Sequence, residues 1–195
     1  TQELPATIDI FQLASSPAGT SHIFVWNCLS DMGPEIFSDV TVRIKPLDYK
    51  EGVFLQSSTI TVNNNSQPVI EEINTDSSVT GVLNINYRIS DTASHKSKIQ
   101  VQYRMASDSD WSNAVDGTSA AASAVSNVYT STSGAWNVIP WDSIADLPGQ
   151  DATVRIRIRA TDEKEGPGTW GMWTEFNTDI EVYNLEAPVI LLRQY

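Results

Sequence analysis

The sequence predicts an all-β fold built from tandem antiparallel β-sandwich repeats. Almost every periodic stretch alternates apolar and polar residues with a period of two, which is typical of half-buried strands. No segment shows a convincing helical period. Similar passages recur about 115 residues apart, which indicates that the sandwich is repeated along the chain.

The duplication consists of three pairs of corresponding passages. They are Trp26–Gly33 with Trp141–Gly149, Val40–Asp48 with Val154–Asp162, and Asn64 with Asn184. Pro-Val-Ile follows each asparagine, at residues 68–70 and 188–190. The pattern predicts a complete repeat over residues 65–184. Residues 1–64 are either the C-terminal portion of a repeat or a small sandwich completed by a neighbouring chain. Residues 185–195 either start a further repeat or form a C-terminal strand.

Four alternating strands are expected in the second unit, over Gly81–Asp91, Lys98–Met105, Thr153–Asp162 and Asn177–Tyr183. The residues expected to face inward are Leu83, Ile85, Tyr87, Ile89, Ile99, Val101, Tyr103, Met105, Val154, Ile156, Ile158, Ala160, Ile180 and Val182. The small polar stretch Ser119–Ser133 is either a long loop or an edge strand. We expect Trp26 and Trp141 to occupy equivalent interior positions, because a large aromatic residue repeated in register is typical of a core.

Charge and composition argue against several functions. The 195 residues carry a net charge of −12, so the chain would repel a phosphate backbone, and no nucleic-acid partner is expected. The single cysteine, Cys28, corresponds to Ser143 in the second unit, which indicates that the repeat needs no thiol there. No apolar run is long enough to span a bilayer, so membrane insertion is not expected.

Four passages of the second unit carry a resemblance to a known family. They are the strand Leu83–Ser90, the strand Ile99–Met105 leading to Trp111, the passage Trp141–Leu147, and the strand Val154–Asp162 followed later by Val182-Tyr183-Asn184. The first unit matches the last two. These passages resemble the fibronectin type III-like and Ig-like repeats of bacterial surface proteins and of phage tail or fibre proteins. The resemblance implies a sandwich used as a spacer, decoration or docking surface, and its motifs are structural.

A row of arginines is the first charged candidate site. Arg155, Arg157 and Arg159 alternate with the apolar residues of their strand, so they share its outer face. The row either binds an anion or pairs with Asp179 and Glu181 on the next antiparallel strand. Cross-strand pairing is the favoured interpretation, because opposite charges on facing strands attract.

A group of aspartates is the second candidate. Asp142, Asp146, Asp151 and Asp162 could approach one another at one end of the sandwich and bind calcium, which requires six to eight oxygen ligands. The chain lacks the acidic linker of calcium-dependent repeats, and aspartates commonly cap turns. We therefore assign no metal site and expect no cofactor.

No pattern of catalytic residues is present. The sequence has no Ser-His-Asp pattern, Gly-rich phosphate loop or histidine cluster. Glu71 and Glu72 are adjacent, but neighbouring residues of a regular strand point to opposite faces. Ser107–Trp111 is interpreted as a hairpin that ends on a core tryptophan. No enzymatic activity is expected.

One insertion, Gly166–Trp173, is absent from the first unit. Its glycines and proline predict a projecting loop, and Trp170, Met172 and Trp173 give that loop an apolar tip. Such a tip is a candidate contact with a protein or a glycan. Alternatively, the tryptophans fold back over the end of the sandwich or pack on the next unit.

Together these features predict a non-enzymatic structural or adhesive module of a larger phage virion protein, in a tail, fibre or decoration. The absence of disulfides suits a protein that folds in the bacterial cytoplasm before it is assembled on the virion surface. Expected partners are neighbouring structural proteins or copies of the chain, and a host-surface glycan. The alternatives are an extracellular bacterial adhesin, a filament-decorating protein and a carbohydrate-binding accessory domain.

Overall fold

The computed structural model describes residues 13–117, 124–163 and 169–185. The chain divides into two compact units, Thr1–Asn65 and Ser66–Tyr195. Strands make up 47% of the structure and helices 6%, and the sheets are mainly antiparallel, so the predicted all-β class is confirmed. Most of the predicted C-terminal segment, residues 186–195, lies outside the described residues.

The first unit contains one short helix and two pairs of short strands. These elements are α1 (Cys28–Met32), β1 (Ile36–Val40), β2 (Arg43–Ile44), β3 (Leu55–Gln56) and β4 (Ile60–Asn63). β1 pairs with β4 and β2 pairs with β3, both antiparallel. Among the described residues before Ser66, Val62 is the only buried hydrophobic side chain. The described part of this unit therefore has no extended core.

The second unit contains two sheets and one short helix. Its elements are β5 (Val69–Asn74), β6 (Ser78–Val79), β7 (Val82–Ser90), β8 (Ser97–Met105), β9 (Ser112–Asn113), β10 (Ala124–Val128), β11 (Ala135–Asp142), α2 (Ser143–Asp146), β12 (Asp151–Asp162), β13 (Thr174–Glu175) and β14 (Ile180–Tyr183). The three-stranded sheet has the order β11-β7-β5. The seven-stranded sheet has the order β10-β8-β12-β14-β6, with β13 beside β12 and β9 beside β8. Among the paired strands of the described residues, β14 and β6 are parallel and the other pairs are antiparallel.

The predicted alternation is confirmed in β7 and β12. Their buried residues are Leu83, Ile85, Tyr87 and Ile89 in β7 and Val154, Ile156, Ile158 and Ala160 in β12. These two rows belong to one hydrophobic cluster that the two sheets share. Full burial of one isoleucine or valine contributes about 1.5–3 kcal/mol, so the two rows are a major source of stability.

Other predicted strands differ in detail. In β8 the alternation weakens toward the end, where Tyr103 and Met105 are half-buried. Tyr103 packs against Trp141, with ring centroids 5.3 Å apart. The last strand, β14, begins at Ile180 and is three residues shorter than predicted. Within the stretch predicted as a loop or an edge strand, β10 lies at the edge of its sheet, and residues 118–123 lie outside the described residues.

A β-bulge in β5 overturns the expectation for the adjacent glutamates. Ile70 pairs with Ile89 while Glu72 pairs with Arg88, so one extra residue stands on the β5 side. Both carboxylates consequently reach Arg88, with N–O distances of 3.1 Å to Glu71 and 3.7 Å to Glu72. The prediction that Glu71 and Glu72 point to opposite faces holds only for a regular strand. The bulge makes β5 irregular at these two residues, so the prediction is wrong.

A hydrogen-bonded cap follows β11. The indole Nε1 of Trp141 donates to Oδ2 of Asp146 over 2.7 Å, and the same carboxylate accepts from the Val115 backbone N–H. Asp142 begins α2 by accepting from the backbone N–H of Ala145. This is the usual role of an Asp N-cap, which satisfies an amide at a helix start.

The first unit contains the same local cap. Trp26 Nε1 donates to Asp31 Oδ2, also over 2.7 Å, and Asn27 accepts from the backbone N–H of Ser30 at the start of α1. Asn27 therefore has the same position in the first unit as Asp142 has in the second, and both are good N-cap residues. Trp26 itself is only half-buried.

An asparagine after the last strand ties each cap to its unit. Asn184 donates to the carbonyl oxygens of Ser143 and Leu147, at 2.8 Å and 3.2 Å. Asn64 donates to the carbonyl oxygen of Gly33 at 3.0 Å and accepts from the Cys28 thiol at 3.1 Å. Cysteine and serine both supply a short donor at this position, which explains why the thiol is replaceable.

The expectation that both tryptophans are interior is wrong for Trp26. Trp141 is fully buried between residues of the two sheets, whereas Trp26 lies in a unit whose described part has one buried hydrophobic residue. Ile44, which corresponds to the fully buried Ile158, is 60% exposed. The cap is a local structure, but burial requires a second sheet.

Tyr87 provides a test of the core through alkaline titration. Burial raises the pKa of the Tyr87 phenol, because desolvation penalises the phenolate. The unfolded chain ionises this group near its ordinary pKa of 10.0. Well below pH 10 the phenol is protonated in both the folded and the unfolded chain, so it does not change the free energy of unfolding. As the pH rises above 10, only the unfolded chain can readily ionise this group, so the free energy of unfolding falls. Between about pH 10 and pH 11, the free energy of unfolding should fall by about 1 kcal/mol less in Tyr87→Phe than in the parent chain.

Urea unfolding at a series of pH values measures this difference. Tyr129→Phe is the matched control, because it removes the hydroxyl group of an exposed tyrosine that lies outside the core. An identical pH dependence in the parent and Tyr87→Phe chains would contradict the assignment.

Candidate functional site

The three predicted contact residues lie in different environments. Trp170 and Trp173 are half-buried, and Met172 is 91% exposed. The backbone N–H of Gly171 donates to the Ala160 carbonyl oxygen over 2.8 Å, which holds this segment against the end of β12. Trp170 and Trp173 therefore fold back onto the second unit, where they lie against Arg157 and Arg159 on the outer face of β12. Residues 166–168 of that loop lie outside the described residues.

Trp170 and Met172 line an open groove beside β5. The groove has a volume of about 420 Å³. Its lining residues are Gln67, Pro68, Val69, Ile70, Trp170, Gly171, Met172 and Thr174. Thr174 donates to the Ile70 carbonyl oxygen over 3.0 Å, which fixes the distance between the two walls. The exposed Met172 and Val69 give the groove an apolar rim.

Trp173 belongs to a different structure, an arginine–tryptophan ladder on the outer face of the seven-stranded sheet. The ladder comprises Trp111, Arg157, Trp173, Arg159 and Trp170. The Arg157 Cζ lies 4.2 Å from the ring centroids of Trp111 and Trp173. The Arg159 Cζ lies 4.4 Å from Trp173 and 4.8 Å from Trp170. Each guanidinium is thus within cation–π distance of two indoles.

Glutamine side chains complete the ladder. Arg157 donates through Nε and Nη2 to the amide oxygen of Gln102, and Arg159 does the same to Gln100. Burial lowers the pKa of both arginines, because the rings and amides displace water from the charged groups. A planar guanidinium can stack and donate in its plane at the same time, which an ammonium group cannot do.

Arg155 is the member of the arginine row that forms the predicted cross-strand pair. Arg155 Nε lies 2.7 Å from Asp179 Oδ1, and Glu181 accepts from the Thr153 hydroxyl. Arg157 and Arg159 stack on indoles instead. The sequence analysis missed the ladder because Trp111 was placed in the core, whereas it is half-buried on the outer face.

The four aspartates considered for calcium do not converge. Asp151 and Asp162 are the two ends of β12, which spans about 36 Å at the usual rise per residue. Asp142 and Asp146 are occupied by the cap, and Asp151 accepts from the backbone N–H of Leu185. The shared calcium arrangement is therefore wrong, because a straight strand separates its members.

A buried polar cluster that the sequence analysis missed surrounds Asp162. His95 Nδ1 lies 2.7 Å from Asp162 Oδ2, and Asp91 accepts from the backbone N–H groups of Ala93 and His95. The three side chains are buried, and their ligand atoms lie within 4.8 Å of one another. The hydrogen bonds to Asp91 satisfy backbone N–H groups in the turn at residues 91–95, and the contact between His95 and Asp162 attaches this turn to the end of β12. Asp91 is the last residue of the strand predicted over Gly81–Asp91, but the contact between His95 and Asp162 joins residues 67 positions apart, and the sequence pattern does not reveal it.

The chain matches no protein-family model and no curated protein. The resemblance to fibronectin type III-like repeats stays a prediction. None of the helices in the described residues has the length and apolar composition needed to cross a membrane.

The ladder makes a stability prediction with a control in the same strand. Arg157→Lys should reduce the free energy of unfolding by about 1–2 kcal/mol, because the ammonium group cannot stack between two indoles. Arg155→Lys should cost about 0.5 kcal/mol or less, because the pair with Asp179 is exposed to solvent. Urea unfolding of both variants measures the difference. Equal losses of unfolding free energy in the two variants would show that stacking on the indoles adds no stability beyond that of the positive charge.

Proposed function

We propose that this chain is a non-enzymatic structural module of a larger virion protein of a phage, located in a tail, fibre or decoration. It acts there as a spacer and a docking surface built from tandem β-sandwich repeats of the fibronectin type III-like kind. The repeats separate and display contact surfaces, and neighbouring structural proteins or further copies of the chain bind to them. A bacterial surface adhesin or filament-decorating protein is the alternative setting for the same module.

The observation that carries the proposal is the recurrence of the cap in both units. Trp26 and Trp141 donate to Asp31 and Asp146 at the same distance of 2.7 Å. Repeated units stacked in series are typical of extended proteins that act by length and display. Each cap is anchored by an asparagine near the end of its unit, so the same architectural element is used twice along the chain.

The groove supports a docking role within the second unit. Met172 is the most exposed of the predicted contact residues, and Val69 on the opposite wall is 57% exposed. Exposed apolar side chains beside a concave surface are typical of protein contacts. Trp170 also lines the groove and its ring lies against Arg159, so the ring is already positioned for a partner.

Immunogold labelling tests the setting of the module. Antibodies raised against residues 1–195 should decorate particles released by the cells that encode the chain. Labelling at a tail, fibre or capsid surface supports the virion role, and labelling of the cell envelope supports the adhesin alternative. Labelling confined to the cell interior, with none on particles or envelope, would contradict both.

Photo-crosslinking tests the groove as a docking surface. The photoreactive residue p-benzoylphenylalanine in place of Met172 should form a covalent adduct with a neighbouring protein or a second copy in the assembled material. The same residue in place of Tyr129, which is exposed but lies outside the groove, is the control. Equal adduct formation at both positions, or none at position 172, would exclude the groove as a contact.

A further inference from the structure

The outer face of the three-stranded sheet carries an exposed tryptophan that no contact explains. Trp136 on β11 is 53% exposed, and its indole makes no hydrogen bond or ring contact with any residue in the described part of the chain. Val138, two residues along the same strand, is 57% exposed on the same face. The other tryptophans of this unit are held in the core, the ladder or the groove.

Three asparagines share this face with Trp136. Asn86 on β7 lies directly opposite Val138, and Asn74 on β5 lies opposite Asn86. Asn84 is two residues along β7 on the same side. We call Trp136, Val138, Asn74, Asn84 and Asn86 the sheet platform. Strands lie about 4.8 Å apart, and diagonal neighbours about 7–8 Å apart, so one small ligand could touch the indole and an amide together.

The amides of the platform form no hydrogen bond with any side chain or backbone group that the structure describes. All three asparagines are exposed, and across the described residues none of their side chains forms a hydrogen bond. Each carboxamide offers two donors and an acceptor with two lone pairs. They lie on two paired strands, β5 and β7, whose backbone is already ordered, so a ligand would bind with little loss of backbone entropy.

The charged groups beside the platform are paired with one another, with one carboxylate in excess. Arg88, which lies opposite Trp136, is paired with Glu71 and Glu72 through the β5 bulge. The whole chain carries −12, so an anionic ligand would be repelled, while the platform itself presents no unpaired charge to attract a cation. The surface is therefore complementary to a neutral ligand that is rich in hydrogen-bonding groups.

We infer that the sheet platform binds a neutral oligosaccharide. The C–H face of a sugar ring is apolar and carries partial positive charge, so it stacks on the negative face of an indole. The hydroxyl groups around that ring donate to and accept from carboxamides, which match them in both roles. A second copy of the chain is a poorer occupant, because burying three amides against an apolar surface would leave them unsatisfied.

This inference goes beyond the proposed function, because it requires neither a virion setting nor the groove. It also places the glycan contact away from Trp170, Met172 and Trp173, the candidate protein or glycan contacts predicted from the sequence. Two of those three are held by the ladder, whereas Trp136 has no competing contact. If antibodies label neither particles nor the cell envelope, the inference about the platform still stands. If no sugar binds, the proposed structural role still stands.

Isothermal titration calorimetry with the 195-residue chain tests the platform. The probes are cellohexaose, xylohexaose, maltohexaose and chitohexaose, with a galacturonate hexamer as the anionic comparison. At least one neutral probe should bind, and the anionic probe should not. Trp136→Ala should weaken binding by about tenfold or more, and Asn86→Ala by about threefold or more, as expected for loss of a central contact and of a supporting one.

Three controls keep the result interpretable. Tyr129→Ala removes an exposed aromatic ring outside the platform and should leave affinity unchanged. Trp136→Tyr keeps a stacking ring and should retain most of the affinity. Circular dichroism should show that each variant is folded, since the replaced side chains lie on the outer face. Sedimentation velocity of the parent and Trp136→Ala chains measures self-association.

Several outcomes would overturn the inference. They are failure of every neutral probe to bind the parent chain, binding that survives in Trp136→Ala, and stronger binding of the galacturonate than of the neutral probes. A dimer that Trp136→Ala abolishes, in the absence of sugar binding, would identify a second copy as the occupant instead.

Discussion

Each side chain of β12 between Val154 and Ala160 belongs either to the core or to the outer face, because successive strand residues point to opposite sides. Val154, Ile156 and Ile158 are fully buried, while Arg157 and Arg159 stack on indoles outside. A slip of one residue would place guanidinium groups in the core, where an unpaired charge is strongly destabilising. The hydrophobic core and the arginine–tryptophan ladder therefore specify the same register, and neither can shift alone.

The two units show which parts of the fold are local. The cap needs a tryptophan, an N-cap residue and an aspartate within six positions, so it forms in both units from short-range hydrogen bonds. Burial of the tryptophan is not local, since it depends on strands far away in sequence. Trp141 has β7 and β8 beside it, and Trp26 has no described equivalent of them. Equivalent residues can thus share every local contact and still differ in burial.

What the sequence could predict follows the same division. Period-two alternation identified the buried rows of β7 and β12, and charge complementarity identified the pair of Arg155 with Asp179. The bulge that turns Glu71 and Glu72 to one side leaves no mark in the alternation, and it was missed. The partners of Trp111 and Trp173 were missed as well, because an indole stacked on arginine and an indole in a core have similar patterns in sequence.

The same reasoning separates a tryptophan that supports the fold from one that is available to a ligand. Trp141 donates to a carboxylate and packs on Tyr103, and Trp173 lies against two guanidinium groups. Their rings are already engaged, so a ligand would have to displace those contacts. Trp136 has no such contact among the described residues, and the exposed amides beside it form no hydrogen bond with the described part of the chain. For this chain, the contacts that a tryptophan lacks indicate a binding surface better than its place in an apolar loop does.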